Sequence, residues 1–108
     1  VVGSLNVFGR TLKRNASGGR DHNRHHHCMV LMGDGIQAGV VGGLHLEGNS
    51  FKARAIDSVS GAADDGGDIS FDAGLLSAGK TLGAVLGVST ERLDEIITDG
   101  KVVQSVLA

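Results

Sequence analysis

The sequence contains no proline, tryptophan or tyrosine, only three phenylalanines and a single cysteine among its 108 residues. Without aromatic bulk, a core has to be built from valine, leucine, isoleucine and alanine. Loops that lack proline rely on glycine, which supplies 18 residues, about twice its usual share. The lone Cys28 excludes an intrachain disulfide, and its position at the start of an apolar run predicts a buried thiol.

Charge is nearly balanced, with a formal net charge of −2 at pH 7. This balance gives no reason to expect binding to nucleic acid or to a membrane surface, and no apolar run is long enough to span a bilayer. The distribution is uneven, because most acids lie after residue 56. The basic residues of the first third are Arg10, Lys13, Arg14, Arg20 and Arg24. We therefore expect an anionic partner in that region.

The length fits one domain, 1–108. Because the chain opens inside an apolar stretch, we expect a partial domain that lacks the N-terminal part of the same protein. Hydrophobic patterns predict two buried strands, at 1–8 and 28–32. They also predict a further short strand at 36–41 and a half-exposed strand or hairpin at 44–49. A long loop, 13–27, separates the first two strands, and a solvated acidic loop covers 57–70.

After residue 70 the period changes to that of a helix. The spacing predicts a helix over 72–86 with Asp72 as its N-cap, and a second helix over 90–98 capped by Ser89. Gly100 ends the second helix. The side chains predicted to face inward are Leu75, Leu76, Leu82, Val85, Leu86, Leu93, Ile96 and Ile97. Residues 101–108 are expected to form a short strand or a frayed tail.

The segment from Gly74 to Thr81 matches the phosphate-binding pattern G-x-x-x-x-G-K-[ST]. That motif needs a buried strand before it and a helix that begins near the lysine. Here acids precede the segment, and its leucines continue the helical stripe. We interpret it as part of a helix, with nucleotide binding through Lys80 as a minor alternative.

Candidate metal- and anion-binding side chains are concentrated in residues 18–28, where four of the five histidines accompany one acid and two arginines. Neutral imidazoles and carboxylates are ligands for zinc and similar divalent metals. Guanidinium groups match carboxylate or phosphate bidentately. A glycine-supported loop between two strands can turn the pairs Asp21–His22 and His26–His27 toward one ion. The competing interpretation is a solvated polar loop.

Several of these elements resemble the bacterial domain-of-unknown-function family 1501, a relative of the alkaline phosphatase and sulfatase superfamily. The elements are Phe8-Gly-Arg-Thr-Leu12, Asn15, Gly19-Arg-Asp-His22 with a nearby His-His pair, Gly33-x-Gly35-Ile36, Leu86-Gly-Val-Ser89 and Leu93-x-x-Ile96. They cover residues 5–97. The chain departs from the family pattern at Val7, where the family has glutamate, and at Asp34 within the glycine-rich element.

The resemblance implies an α/β fold, the C-terminal portion of a doubly wound, alkaline-phosphatase-like sheet with flanking helices. It implies a metal site at the carboxyl edge of that sheet. Asp21 and His22 would be ligands, with His26 or His27 as a further candidate. Arg10 would hold a substrate anion or brace the loop, and Arg20 is a second candidate for anion binding.

The resulting hypothesis is part of an exported, periplasmic hydrolase that acts on a small anionic phosphate or sulfate ester. Its cofactor would be a divalent metal, zinc first, with manganese and calcium as alternatives. The superfamily's nucleophile and earlier metal ligands would lie upstream of Val1, so we expect no activity from this chain alone. The alternative function is a non-catalytic binding or structural module that retains the fold.

Overall fold

The computed structural model describes residues 1–108 as a mixed α/β chain. Its strands are β1 (Val2–Leu5), β2 (Gly9–Arg10), β3 (His22–Asn23), β4 (Met29–Met32), β5 (Leu44–Glu47) and β6 (Ser50–Ala53). They form three two-stranded antiparallel sheets, which pair β1 with β4, β2 with β3 and β5 with β6. The helices are α1 (Gly74–Val85) and α2 (Thr90–Ile96), with single 3₁₀ turns at Phe71–Ala73 and Gln104–Val106.

The β2–β3 hairpin is nested inside the ribbon formed by β1 and β4. Backbone pairing continues between the two sheets, because Asn6 N–H donates to the Cys28 carbonyl at 3.1 Å and Gly9 N–H donates to the His26 carbonyl at 3.0 Å. The segment 13–27 is irregular, as the sequence predicted, except for the two residues of β3, which pair with β2.

The β1–β4 ribbon is more exposed than its apolar sequence predicted. All four β1 residues are exposed, and β4 alternates between half-buried and exposed residues. Cys28 is also exposed, so the prediction of a buried thiol is wrong. Residues 36–41 form no strand beyond an isolated bridge between Ile36 and Leu107. An apolar run shows that a segment can be buried, but it does not specify the surface that covers it.

The β5–β6 hairpin confirms the prediction at 44–49. Leu44 lies opposite Ala53, and Glu47 lies opposite Ser50 across a two-residue turn. Gly48 has φ +61° in this turn, a conformation that glycine adopts at little steric cost.

The helical part contains the small apolar core of the chain. Ile69, Ala73 and Val103 are buried together, and the partly buried Ile56 and Val106 pack against them. These residues come from the loop before α1, from the first 3₁₀ turn and from the C-terminal segment. This core therefore packs the C-terminal segment against the residues that precede α1.

The buried face of α1 is polar, contrary to the predicted apolar stripe. Ser77 and Thr81 are buried, and their hydroxyls accept hydrogen bonds from Lys101 N–H at 2.9 Å and Val103 N–H at 2.9 Å. The leucines expected to face inward, Leu75, Leu76 and Leu86, are exposed, as is Ile96 on α2. The helical period was recognised correctly, but the C-terminal backbone packs against the polar face of α1. Apolar contact comes from the buried Leu93, as predicted, which lies against Gly83.

The helix ends follow the local sequence signals only in part. Ser89 Oγ accepts from Arg92 N–H at 3.3 Å, which confirms the predicted cap of α2. Asp72 lies inside a 3₁₀ turn instead of capping α1. Gly87 and Gly100 have positive φ angles of +81° and +77° after the two helices.

The molecule is extended and poorly buried for its length. Its radius of gyration is 14.8 Å, whereas a compact chain of this length has about 13 Å. Its accessible surface is 6955 Å², whereas about 5,600 Å² is typical of a folded monomer of this mass. No helix has the length and apolar character that crossing a membrane requires.

Candidate functional site

In the Phe8-Gly9-Arg10 element, successive residues alternate between the two faces of an extended strand. Residues 8 and 10 point to one face of β2 and residue 9 to the other. On the first face the His22 ring stacks on Phe8, with ring centroids 3.6 Å apart, and the Arg10 guanidinium lies 5.0 Å from the centre of the Phe8 ring. Arg10 and His22 are cross-strand partners, so the hairpin brings one anion-binding and one metal-ligating candidate together.

Gly9 provides the space that His26 occupies on the opposite face. A Cβ atom at position 9 would overlap with the imidazole ring of His26. The His26 Nε2 atom is buried there without a hydrogen-bond partner. His26 and His22 therefore lie on opposite faces of β2, and the structure does not bring the two predicted ligand pairs together.

Asp21 is positioned by the residues around the hairpin tip. Its backbone N–H donates to Thr11 Oγ1 at 3.0 Å, and its carbonyl accepts from Thr11 N–H at 3.0 Å. Its Oδ1 accepts from Asn15 Nδ2 at 2.8 Å. Asn15 Oδ1 in turn accepts from the backbone of Ser17 and Gly19. One carboxylate oxygen of Asp21 is thus engaged, and Oδ2 has no partner within the chain.

The two candidate anion-binding arginines differ in their contacts. Arg10 Nη1 donates to the Arg20 carbonyl at 3.0 Å, so Arg10 braces the hairpin, as one of the two expected roles requires. The Arg20 side chain makes no hydrogen bond or ion pair. Across the whole chain, no three His, Cys, Asp or Glu side chains converge in a way that could hold a metal ion.

Asn23 anchors the histidine segment, and the sequence analysis missed it. Its side chain is buried and donates to Ser50 Oγ at 3.1 Å and to the Phe51 carbonyl at 2.9 Å, while its Oδ1 accepts from His25 N–H at 2.9 Å. The His25 carbonyl accepts from Ala53 N–H at 2.8 Å. An asparagine between an Asp-His pair and a histidine run has no special sequence signature, because its partners come from the β5–β6 hairpin.

An open groove of about 590 Å³ lies beside this segment. It contains His22, His25 and His27 together with Arg24, and Phe8 forms part of its wall. Neither Arg10, Arg20, Asp21 nor His26 lines it. The groove thus gathers three histidines of the cluster, but not the pairs that sequence spacing suggested.

A carboxylate in a smaller cleft beside the groove is paired with His45 and Lys52. Glu47 shares a smaller adjoining cleft with His25. It accepts from His45 Nε2 at 3.2 Å and lies 3.5 Å from Lys52 Nζ. The hydrogen bond from His45, followed by the proximity of Lys52, lowers the pKa of Glu47.

The structure removes the basis for nucleotide binding through Lys80. The pattern from Gly74 to Thr81 lies within α1, not in a loop before a helix. Lys80 is buried, and its Nζ donates to Asp94 Oδ1 at 2.7 Å and to the Gly100 carbonyl at 3.0 Å. A lysine held in this way joins the two helices and is not available to a phosphate.

Comparison with known proteins gives one match. A family model described as "Protein of unknown function (DUF1501)" matches residues 3–56, which is half of the chain and includes all the residues of the candidate site. No curated protein and no solved structure matches.

Proposed function

The chain belongs to the DUF1501 family of proteins of unknown function, and we propose that it supplies part of the active site of a metal-dependent phosphate- or sulfate-ester hydrolase. The observation that supports this most directly is the β2–β3 hairpin, in which His22 lies opposite Arg10 and Asp21 pairs with Thr11 through its backbone. A carboxylate and an imidazole next to a guanidinium suit a divalent cation and the anionic ester that it would activate.

The residues present fit two metal ligands and not a complete site. Asp21 has a free carboxylate oxygen, Oδ2, and Asn15 fixes the orientation of the other, Oδ1, as a hydrogen-bond partner commonly does for a ligating carboxylate. His22 is held by its stacking on Phe8. His27 is a further candidate ligand, whereas His26 is turned behind Gly9. A protein zinc site needs three or four ligands, so the remainder has to come from outside this chain.

Each residue of the hairpin has a defined task in this proposal. Asp21 and His22 hold the ion, and Arg10 keeps the hairpin closed through the Arg20 carbonyl while presenting positive charge on the same face. Arg20 is free to contact an ester oxygen. A divalent metal, with zinc favoured over manganese or calcium, would polarise that ester and activate a nucleophile when bound.

The missing part of the site is proposed to lie in the N-terminal part of the same protein. Exposed apolar side chains on both faces of β1–β4 are typical of strands that are covered on both faces of a larger sheet. The accessible surface, about 1,350 Å² above the usual value, is comparable to the area buried in a protein–protein interface. The doubly wound, alkaline-phosphatase-like sheet and an exported, periplasmic setting are parts of this proposal through the superfamily relationship.

A non-catalytic binding or structural module is the second candidate. It is favoured by the absence of three convergent ligands and by Val7, which stands where the family resemblance leads us to expect a carboxylate. The two candidates differ in whether the Asp21–His22 pair binds a metal.

Calorimetric titration with zinc and manganese tests the proposal. We expect weak, saturable binding that is lost in Asp21→Asn, which keeps the shape of the side chain, and in His22→Gln. His45→Gln is the matched control, because His45 pairs with Glu47 away from the cluster, and it should leave binding unchanged. Circular dichroism of each variant verifies folding.

Two results would decide against the proposal. Metal binding that survives both Asp21→Asn and His22→Gln would assign the ion to a solvated histidine run, and no binding at all would favour the non-catalytic module. The chain alone should not hydrolyse p-nitrophenyl phosphate or sulfate in the presence of metal. Turnover that persists through repurification would refute the idea of a partial site.

A further inference from the structure

The open groove beside the histidine segment has an unusual charge composition. Among its nine lining residues there is one arginine, three histidines and no acid. The Arg24 guanidinium makes no hydrogen bond or ion pair within the chain, and neither do the ring nitrogens of His25 and His27. A wall with one guanidinium, three imidazoles that can each donate an N–H and no carboxylate favours a negatively charged ligand.

The backbone around these groups is fixed by the buried Asn23. Its side chain joins the segment to the Phe51 carbonyl and to Ser50 Oγ, and Ala53 N–H donates to the His25 carbonyl. His25 also stacks on Phe71, with ring centroids 5.9 Å apart. The backbone that bears Arg24 is therefore held in place before a ligand arrives, which reduces the ordering cost of binding.

The nearest carboxylates do not neutralise the groove. Asp21 lies outside the lining and accepts from Asn15. Glu47 belongs to the adjoining cleft and is paired with His45 and Lys52. Arg24 consequently has no internal counter-ion.

We propose that this groove binds a tetrahedral oxyanion, a phosphate or sulfate group, through the Arg24 guanidinium and the imidazoles of His25 and His27. A guanidinium can contact two oxygens of such a group, and a neutral imidazole can donate one further N–H. The proposal deepens the proposed function, on which its catalytic role rests, by naming anion-binding residues in addition to Arg10 and Arg20. The exposed Val7 at the groove's edge provides a contact for an organic substituent.

NMR titration of the metal-free protein with inorganic phosphate, sulfate and phenyl phosphate at constant ionic strength tests this inference. The probes are the Arg24 Nε–H signal and the ring C–H signals of His25 and His27. We expect saturable shifts at all three, and a dissociation constant raised about tenfold or more in Arg24→Gln, since hydrogen bonds to charged groups are among the stronger ones. Arg14→Gln removes an exposed arginine outside the groove and should change the constant less than about twofold.

The outcomes separate the possible ligands and the two proposals. Tighter binding of phenyl phosphate than of inorganic phosphate, reduced by Val7→Ser, would identify an ester, while equal binding would identify the free oxyanion. Shifts that do not saturate, or equal effects of Arg24→Gln and Arg14→Gln, would overturn the inference. Asp21→Asn should abolish metal binding but not phosphate binding, and Arg24→Gln should do the reverse, so each proposal can fail independently.

Discussion

Asp68 accepts three hydrogen bonds through both of its carboxylate oxygens. Its Oδ2 accepts from Lys101 Nζ and from Ser58 Oγ, both at 2.8 Å, and its Oδ1 accepts from Ser58 N–H at 2.8 Å. The Ser58 carbonyl also accepts from Gln104 N–H at 2.8 Å. These bonds tie the acidic loop to the C-terminal segment, so 57–70 is an ordered loop whose acids satisfy its own backbone.

These contacts predict a specific pH dependence of stability. The hydrogen bond from Lys101, followed by those from Ser58, lowers the pKa of Asp68 well below its usual value of 3.8. Because the unfolded chain binds this proton more readily, the contribution of Asp68 is complete above about pH 5 and is lost as the pH falls below about 4. In Asp68→Asn, urea-unfolding midpoints should be lower at pH 7 and should fall less steeply between pH 5 and pH 2.5.

The matched control for this experiment is Asp34→Asn. Asp34 is exposed and makes no side-chain hydrogen bond, so this variant should follow the wild-type curve. Parallel curves for Asp68→Asn and the wild type would show that the Lys101 and Ser58 contacts do not form in solution.

At the scale of elements, the β2–β3 hairpin depends on the absence of a side chain at Gly9 of β2. Gly9 is buried against the His26 ring, and its N–H donates to the His26 carbonyl. The Phe-Gly-Arg element thus needs glycine in the middle because the neighbouring segment fills that space.

Gly9→Ala should therefore displace His26 and weaken the hairpin. Overpacking of a filled site costs typically about 1–3 kcal/mol, so we expect a loss of stability of that size in urea unfolding. Gly19→Ala is the control, because a Cβ there would meet only Asn15 atoms at 3.8 Å or more and φ is not positive. A Gly9→Ala protein as stable as Gly19→Ala, with unchanged His26 NMR signals, would contradict the observed packing.

The elements that the sequence predicted well are those specified by neighbouring residues. Ser89 defines the start of α2 locally, although the helix ends at Ile96, before Gly100. The alternation of 44–49 is sufficient for a hairpin strand. Burial was predicted less well, since it depends on residues far along the chain. The polar face of α1 is buried only because the backbone of Lys101 and Val103 lies against it.

The candidate site shows the same limit. Sequence spacing located Asp21, His22 and the histidine run, but it could not show that Gly9 draws His26 to the opposite face. It could not identify Asn23 either, whose distant partners, Ser50 and Phe51, are supplied by β6. Arg24 was noted for its charge, and only the structure shows that it faces the groove without a counter-ion.

At the scale of the whole molecule, apolar surface is distributed over two separate regions. One is the β1–β4 ribbon, where Val2, Val30 and Met32 share one face and are 65%, 51% and 60% exposed. The other includes Leu75 on α1 and Leu86, which directly follows α1. Contiguous apolar patches of this kind mark contact with another polypeptide or a tendency to associate, in agreement with the proposal that the rest of the same protein covers the ribbon.

The ribbon face should dominate the behaviour of the isolated chain. We expect the chain to bind the dye ANS and to self-associate at high concentration, and the double variant Val30→Thr, Met32→Gln should reduce both without lowering the free energy of unfolding. The reason is that these side chains already contact water, and threonine keeps the preference for a strand. Leu31→Thr is the matched control, since Leu31 is half-buried on the other face and should lose stability instead. If the double variant lost stability as Leu31→Thr does, the two residues would be packed within the chain, and the ribbon face would not be available to the proposed N-terminal part of the protein.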